Sequence, residues 1–327
     1  MWEGGAMAGR GWRIAVVALL AAGGLVGCAE NKQADDGAGG ATAGTGTEIG
    51  FGVGVDPAYS PIYLADQNGL FKQAGLQVKV KQFQEGTGGL DAILAKQGQV
   101  SANTESSMLN RAARGNLKAL AVFSQSPDFI KLVARKGVDD VKDIKKYGVV
   151  AGTVNEFATN KVLAANGIDR DSVEFVKSSP AEMPALLGRG DIDGYIMWEP
   201  WPSRGVAGGG KVLLTSGDVG YVYNLVITVD GGWYEANKDE AASLVKVIGQ
   251  ACDQITGDAG LAGTATEKAI KVPSAEARTL LKGVQCKVRD FTADDVKRYG
   301  EISEFQRQNK IVDAKVDVDS ILVRGVA

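Results

Sequence analysis

Histidine is missing from all 327 residues, and cysteine occurs only three times. Without histidine the chain lacks the side chain that most often acts as a general base near neutral pH. It also cannot build a Ser-His or Cys-His nucleophile pair. Zinc sites that use histidine are excluded, and two cysteines beyond position 28 cannot supply four thiolates. We therefore expect no enzymatic activity, no metal site and no cofactor.

An excess of basic residues is also missing. Lys and Arg number 36 against 39 Asp and Glu, a formal net charge of −3. Nucleic-acid binding needs a basic surface that neutralises phosphates, so it is not expected. With 45% hydrophobic and 23% charged residues, the composition is that of an ordinary globular protein, and the length suits about two domains.

The apolar run near the N-terminus is too short to cross a bilayer. Arg10 and Arg13 precede thirteen apolar residues, 14–26, which is typical of a signal peptide. The following Leu25-Val26-Gly27-Cys28 resembles the bacterial lipoprotein box. It predicts a signal peptide over 1–27 and a lipidated Cys28, which would anchor the protein on the extracytoplasmic face of the cell membrane. An ordinary signal peptide and an uncleaved anchor are the alternatives.

Three further segments are predicted beyond the signal peptide. Residues 28–47 are rich in Gly, Ala and Thr without apolar periodicity, which predicts a flexible tether. From residue 48 strand and helix signals alternate, predicting βαβ units and mostly parallel sheets. The signal turns helical from Trp233. We expect one lobe over 48–133 plus 227–327 and a second over 134–226.

Polar and aromatic loops follow the predicted strands. In parallel α/β sheets, ligands bind beyond the carboxyl ends of strands, where helix N-termini expose N–H groups. The loops at these positions are 56–60, 85–89, 104–107, 153–157, 178–181 and 199–201. The last belongs to YIMWEPW, residues 195–201, which could form a core plug or a pocket wall. We expect Trp198 to face the pocket and Trp201 to pack; a surface position for Glu199 is the alternative.

Several of these loops, taken in order, resemble a known family. The segments are Tyr59-Ser60-Pro61, Gly69-Leu70-Phe71, Gly75-Leu76, 85–88, Gly152-Thr153, 190–194 and Trp198-Glu199-Pro200. Their order and spacing are similar to substrate-binding proteins of bacterial ABC importers, in the group for nitrate, sulfonates, taurine and bicarbonate, which also holds binders of thiamine pyrimidine precursors. The resemblance covers about residues 48–230.

This resemblance implies a fold, a role and a set of partners. The fold would be α/β, of the two-lobed periplasmic-binding-protein type II, each lobe a mostly parallel sheet flanked by helices, with a helical C-terminal tail. The lobes would close like a hinge on one small-molecule solute and dock on an ABC permease and its ATPase. A monomer is expected.

The resemblance also places the ligand contacts, which leave the charge of the solute open. The expected contacts are Tyr59, Ser60, Gly86, Thr87, Gly88, Glu105, Ser106, Thr153, Asn155, Glu156, Trp198 and Glu199. A sulfonate, taurine or nitrate would suit the family. However, the six loops carry five carboxylates and no Arg, and these would repel an anion unless helix N-termini hold it. An amine, amidine or aminopyrimidine beside Glu199 and Glu156, with Trp198 or Trp201 stacked on it, is therefore the alternative.

Cys252 and Cys286 remain after Cys28. In an exported chain an even pair is compatible with a disulfide. Two buried thiols are the alternative.

Overall fold

A computed structural model describes residues 47–327. The expected signal peptide, Cys28 and residues 28–46 of the tether lie outside the described residues. Within 47–327, every helix is too short or too polar to cross a membrane.

The first sheet has six strands. Their order across the sheet is β11 (Gln285–Arg289), β4 (Leu117–Ser126), β10 (Tyr223–Asp230), β3 (Val100–Thr104), β1 (Ile49–Gly54) and β2 (Val78–Phe83). The interior strands β10 and β1 are buried along almost their whole length, although β10 carries Asn224 and Thr228 among its apolar residues. At the edge, β2 alternates half-buried valines with exposed lysines, which keeps one face in water.

The second sheet has five strands, in the order β7 (Glu174–Lys177), β6 (Lys146–Val149), β8 (Gly194–Trp198), β5 (Ile130–Ala134) and β9 (Lys211–Thr215). The strand β8 is entirely buried, and it pairs with β5 and β6. It contains the first four residues of YIMWEPW, 195–198, and α7 begins at the last one, Trp201. The motif therefore spans a strand, a turn and the first residue of a helix.

The helices of the described residues flank both sheets. They are α1 (Ser60–Gln67), α2 (Leu70–Gln73), α3 (Gly86–Leu94), α4 (Glu105–Ala112), α5 (Val154–Ala165), α6 (Met183–Arg189), α7 (Trp201–Ala207), α8 (Gly231–Ala236), α9 (Lys238–Gly257), α10 (Ala259–Ile270), α11 (Ser274–Leu280), α12 (Ala293–Gln308) and α13 (Val318–Ile321). The helices α1, α3 and α4 belong to the six-stranded side, whereas α5 packs on β8. In the tail, α9 and α10 pack on α1, and α12 packs on α4. The predicted helical tail is confirmed.

Both sheets are mixed, which corrects the expectation of mostly parallel sheets. In the first, β1 runs parallel to β2 and β3, but β10 is antiparallel to β3 and β4. In the second, β6 runs parallel to β7 and β8, whereas β5 is antiparallel to β8 and β9. The strands β5 and β10 are the ones by which the chain enters the other sheet, and both enter against the direction of the βαβ units.

The chain changes sheets slightly before each expected lobe limit. The strand β5 lies in the five-stranded sheet, although most of it falls before the limit at 133. The first half of β10 lies in the six-stranded sheet, although it falls before the limit at 226. Each strand is hydrogen-bonded along its whole length in one sheet, so the crossing lies in the preceding turn. The division into two lobes at 48–133 with 227–327 and 134–226 remains a prediction.

Glycines bring α3 very close to β1. A Cβ on Gly52 would lie 2.5 Å from the Cα of Gly89, so the two backbones are in direct contact. A Cβ on Gly54 would lie 2.8 Å from the backbone nitrogen of Gly86. Larger residues would push the start of α3 away from the end of β1. The contact fixes the position of the loop that precedes α3.

The tail contains a strand and a disulfide that the helical pattern does not indicate. The strand β11 pairs antiparallel with β4 at the edge of the first sheet. Cys286 on β11 is bonded to Cys252 on α9, with Cα atoms 5.1 Å apart. Of the two alternatives for this cysteine pair, the structure has the disulfide. It joins the longest helix of the tail to the sheet.

Candidate functional site

A cavity lies between the two sheets, at the carboxyl ends of their parallel strands. Residues at or after the ends of β1, β2 and β3, together with the first residue of β10, line it from one side: Gly54, Val55, Asp56, Tyr59, Gln84, Glu85, Gly86, Thr87, Thr104, Ser107 and Tyr223. The other side consists of residues that follow β6 and the last residue of β8: Thr153, Val154 and Trp198. The expected position of the pocket is therefore the one found.

Three α-helices direct their N-termini at this cavity. First-turn or cap residues of α3, α4 and α5 are among its lining, two helices from one sheet and one from the other. The caps are ordered by hydroxyl groups: Thr104 accepts from the Ser107 N–H, and Thr153 accepts from the Asn155 N–H. The first N–H groups of a helix have no acceptor within the helix, and the helix dipole is positive there. The cavity can therefore hold an acidic group without a lysine or arginine.

Two carboxyl groups also line the cavity; Asp56 is buried and Glu85 is half-buried. Asp56 is 6% exposed, and its Oδ1 accepts the Ala58 N–H at 2.6 Å. Burial raises the pKa of Asp56 to about 8; the bond from Ala58 lowers it and the negative Glu199 raises it further. Burial likewise raises the pKa of Glu85, against the hydrogen bond from Thr87. A cationic group in the cavity would lower the cost of ionising both carboxyls.

Aromatic side chains provide the remaining walls. Trp198 is 8% exposed and lies in the lining. The Tyr223 hydroxyl is buried and has no hydrogen-bond partner among the described residues, although the ring stacks on Phe129 at 5.8 Å. A buried unpaired hydroxyl is costly, so a bound solute that pairs with it gains affinity. The Tyr59 hydroxyl lies against Gly86, where a Cβ would approach it to 2.5 Å.

Five of the expected contact residues line the cavity: Tyr59, Gly86, Thr87, Thr153 and Trp198. The other seven, Ser60, Gly88, Glu105, Ser106, Asn155, Glu156 and Glu199, lie outside its lining. Ser60 faces a different cavity, beside α9 and α10. A Cβ on Gly88 would overlap the Phe83 ring at 2.6 Å, so this glycine serves packing.

Glu105 and Ser106 connect α4 to other parts of the fold. Glu105 is 1% exposed; it accepts the Tyr221 hydroxyl at 2.5 Å and the Asn224 N–H at 3.0 Å, which holds the chain crossing into β10. Burial raises the pKa of Glu105 to about 7, although these two bonds lower it. The Ser106 carbonyl oxygen accepts from the Gln306 side chain at 2.8 Å and so links α4 to α12.

Asn155 and Glu156 stabilise the start of α5. The Asn155 side chain accepts the Val150 N–H at 2.6 Å and donates to the Ile196 carbonyl oxygen at 2.7 Å, which joins β6 to β8. Glu156 accepts the Gly152 N–H at 2.8 Å. Both side chains face away from the cavity because they complete backbone hydrogen bonds that the loop leaves open.

Glu199 is a buried ion-pair residue. It is 1% exposed, lies 2.6 Å from the Lys131 ammonium and accepts the Ser203 N–H at 3.1 Å. Neither a surface position nor a direct contact with a solute in the cavity fits this geometry. Its charge still acts on the cavity through the raised pKa of Asp56.

Some lining residues were not among the expected contacts. Asp56, Glu85, Thr104 and Ser107 belong to loops that the sequence places at the site, but the side chains that face the cavity differ from those expected. The sequence does not indicate that Tyr223 lies at the site, because the first residue of a parallel strand would lie at the opposite edge of the sheet. It reaches this edge because β10 is antiparallel, so its first residue lies beside the last residues of the parallel strands.

Trp198 offers a direct test of the cavity. A solute that contacts it should change tryptophan fluorescence, and Trp198→Phe should remove most of that change. Trp201→Phe is the matched control, because the Trp201 ring packs under the Arg204 guanidinium at 4.7 Å and does not line the cavity. A response that survives in Trp198→Phe and disappears in Trp201→Phe would contradict this assignment. The measurement is a fluorescence titration.

Two β-sheets flanked by helices, which face one another across a cavity at their strand ends, define a periplasmic-binding-protein-like fold. The alkanesulfonate-binding protein SsuA from Xanthomonas axonopodis pv. citri, solved with MOPS, has the same fold, with a TM-score of 0.76 at 18% identity over 85% of this chain and 98% of that one. The periplasmic aliphatic sulphonate binding protein SsuA from Escherichia coli has a TM-score of 0.74 at 16% identity, over 85% and 92%.

The sequence itself belongs to the NMT1-like family, which it matches over residues 43–269. A Bacillus subtilis (strain 168) protein that is named as an aliphatic sulfonates-binding protein is 25% identical over 284 residues. The match covers 83% of this chain and 84% of that protein. The resemblance to substrate-binding proteins of ABC importers and the two-lobed α/β fold class are thus confirmed. By their names these relatives are binding proteins for aliphatic sulfonates or alkanesulfonates, which supports a solute-binding role.

Proposed function

We propose that this protein binds one small aminosulfonate-type solute in the cavity between the sheets and delivers it to an ABC importer. The ammonium group lies toward Asp56 and Glu85, and the sulfonate lies toward the helix N-termini. Closure of the two lobes around the solute retains it until the protein docks on a permease, whose ATPase drives uptake. A lipid on Cys28 keeps the protein at the extracytoplasmic face of the membrane.

The carboxyl groups of the lining carry this proposal. Asp56 and Glu85 line the cavity, and none of its described lining residues is a lysine or arginine. A solute with only negative charge would bring its charge beside two carboxyl groups without a neutralising side chain. An ammonium group in the solute would remove that repulsion. It would also stabilise the two carboxylates and so offset the effect of burial, which raises both pKa values.

The helix N-termini support an acidic group at the other end of the solute. The starts of α3, α4 and α5 converge on the cavity from both sheets. Anions bind well at helix N-termini because N–H groups and the dipole act together. Ser107 adds a hydroxyl group, which accepts from the Thr104 hydroxyl and can donate its own hydrogen to a sulfonate oxygen.

A simple alkanesulfonate without an amine is the second candidate. The names of the relatives favour it, since they refer to aliphatic sulfonates or alkanesulfonates. In this case Asp56 would bind the sulfonate in its protonated form, as a hydrogen-bond donor. The raised pKa of about 8 makes that form available at neutral pH.

Calorimetric titration with three matched compounds tests the proposal. Taurine has both poles, ethanesulfonate lacks the amine, and ethylamine lacks the sulfonate. We expect taurine to bind at one molecule per chain and at least about tenfold more tightly than either partial compound, since each pole contributes a charge-assisted hydrogen bond. Equal or tighter binding of ethanesulfonate would favour the second candidate. Conversion of the bound compound to a product would instead indicate an enzyme.

A further inference from the structure

A basic groove lies at the junction of the two sheets, separate from the cavity just described. Its walls come from the second half of α4, the β6–α5 loop, β7 and the residues that follow α12. The two sites share no described lining residue. The groove therefore does not belong to the candidate solute site.

The groove carries uncompensated positive charge. Arg114, Lys177 and Lys310 line it and are exposed, and no carboxylate of the described residues lies within 4.0 Å of their charged groups. Arg170 is held 4.4 Å above the Phe175 ring. The lining contains one carboxylate among its described residues, Glu156, which already accepts the Gly152 N–H.

A buried amide group in the lining has an unused donor. Asn110 is 1% exposed, and its Oδ1 accepts from the Arg111 guanidinium at 3.0 Å. This bond sets the orientation of the amide, so the remaining atom is the Nδ2 donor. It has no hydrogen-bond partner among the described residues. Since an unpaired buried donor is costly, its presence beside four cationic side chains points to an occupant that accepts hydrogen bonds.

Arg111 closes the floor of the groove between the two sheets. It pairs with Asp91 at 3.0 Å and donates to the Gly152 carbonyl oxygen, on the other sheet's side, at 2.9 Å. Gly152 has a φ of +70°, and a Cβ there would lie 3.1 Å from the Arg111 guanidinium. The groove floor is thus a packed contact, with the exposed cations above it.

We propose that this groove binds a tetrahedral oxyanion of the phosphate class. Its oxygens accept from the Asn110 amide and from the guanidinium and ammonium groups of Arg114, Arg170, Lys177 and Lys310. Phosphate oxygens suit this set because they accept hydrogen bonds from guanidinium and ammonium groups alike. The phosphate is either free or carried on a lipid headgroup, and the two sources are distinguished by the test.

The test measures inorganic phosphate binding by calorimetry at constant ionic strength, with chloride as the reference anion. We expect saturable binding that weakens at least about tenfold in the double variant Arg114→Gln with Lys177→Gln. The matched control is Lys136→Gln with Lys142→Gln, which removes two exposed positive charges outside both cavities and should change the affinity less than about twofold. Equal losses in the two double variants would overturn the proposal.

Nuclear magnetic resonance provides a second readout that does not depend on charge removal. The Asn110 side-chain amide signal, assigned through Asn110→Ser, should shift on addition of phosphate; an unmoved signal at saturation would refute the site. Co-sedimentation with phosphatidylglycerol vesicles, against phosphatidylcholine, distinguishes the sources. Vesicle binding that the Arg114/Lys177 double variant loses supports a headgroup, whereas phosphate binding without vesicle binding supports the free ion. Absence of both contradicts the proposal.

Discussion

Replacing Asp56 with asparagine is expected to weaken the binding of an aminosulfonate by about a hundredfold. The variant keeps the side-chain shape and the acceptor for the Ala58 N–H, but it loses the negative charge that, in the proposed complex, faces the ammonium group. Loss of one partner of a buried charge pair costs roughly 2–5 kcal/mol, and a hundredfold change lies within that range. Calorimetric titration of the parent and the variant with taurine measures the effect.

The control is Asp66→Asn, the same substitution at an exposed position on α1, outside the cavity lining. It should leave the affinity for taurine within about twofold. Ethanesulfonate provides the reciprocal comparison, since Asp56→Asn removes a repulsive charge for an anion and should preserve or improve its binding. If Asp56→Asn binds taurine as tightly as the parent does, the ammonium group does not lie beside Asp56.

The raised pKa of Asp56 also gives each candidate solute a different pH dependence. An ammonium group requires the carboxylate, so aminosulfonate affinity should increase as the pH rises toward about 8, with a proton released on binding below that pH. An anion without an amine requires the neutral acid, so its affinity should fall as the pH rises through about 8. Asp56→Asn should remove both dependences.

The same pKa predicts how the stability of the solute-free protein changes with pH. Because the folded pKa of about 8 exceeds the ordinary value of 3.8, the stability contribution of Asp56 is complete below 3.8. It decreases as the pH rises between these values, because the unfolded chain ionises its carboxyl group more easily. Asp56→Asn should therefore be more stable than the solute-free parent near pH 8.

The location of the site could be predicted from the sequence because it depends on a general property of βαβ units. Each unit places its loop at the carboxyl end of a strand, so loops far apart in sequence meet at one sheet edge. Tyr59, Thr87, Thr153 and Trp198 are 139 positions apart at their extremes, 198 − 59, yet they line one cavity. The alternation of strands and helices indicates which loops lie at a sheet edge, whereas the family resemblance implied that the edges of two sheets face one another.

The orientation of individual side chains depends on partners that the local pattern does not contain. Glu105 and Glu85 both lie at the start of a helix, and both are acidic. Glu105 turns away from the cavity because the Tyr221 hydroxyl and the Asn224 N–H, more than a hundred residues later, are its partners. Glu85 stays in the lining beside Thr87. Only the tertiary fold distinguishes the two.

The directions of β5 and β10 and the presence of the strand β11 in the tail could not be predicted from the sequence for a related reason. A buried strand of apolar residues has the same composition whether its neighbours are parallel or antiparallel, so β5 and β10 read as members of parallel sheets. The strand β11 has the sequence QCKVR, with few apolar residues, and it is stabilised by pairing with β4 and by the disulfide to α9. Both features depend on distant segments.

Asp295 is expected to have the largest effect on stability among the buried carboxylates that lie outside the cavity. It is fully buried at the start of α12, where it lies 2.5 Å from Arg289 on β11 and accepts from the Asn224 side chain on β10 at 2.9 Å. It also accepts the Thr292 N–H in a capping box. One carboxylate thus joins the first sheet to the helix that packs on α4.

Removing this charge should lower the free energy of unfolding by about 3 kcal/mol in Asp295→Asn, the lower part of the range for breaking a buried ion pair. The lower part applies because Arg289 and Arg298 are 24% and 31% exposed, so water can partly replace the carboxylate. The matched control is Asp294→Asn, one position earlier and exposed in the same helical turn, which should change the stability by less than about 0.5 kcal/mol. Urea unfolding of the parent and both variants measures the difference.

The pH dependence identifies the charge as the cause. Burial opposes ionisation of Asp295, but the bonds from Arg289 and Thr292 outweigh it and lower the pKa to about 2. Because the folded pKa lies below the ordinary value of 3.8, the contribution of Asp295 is complete above 3.8 and is lost as the pH falls to about 2. The difference between the parent and Asp295→Asn should therefore shrink over that interval. A difference that stays constant would attribute the loss to altered packing, and equal stability of Asp295→Asn and Asp294→Asn would show that the network contributes little.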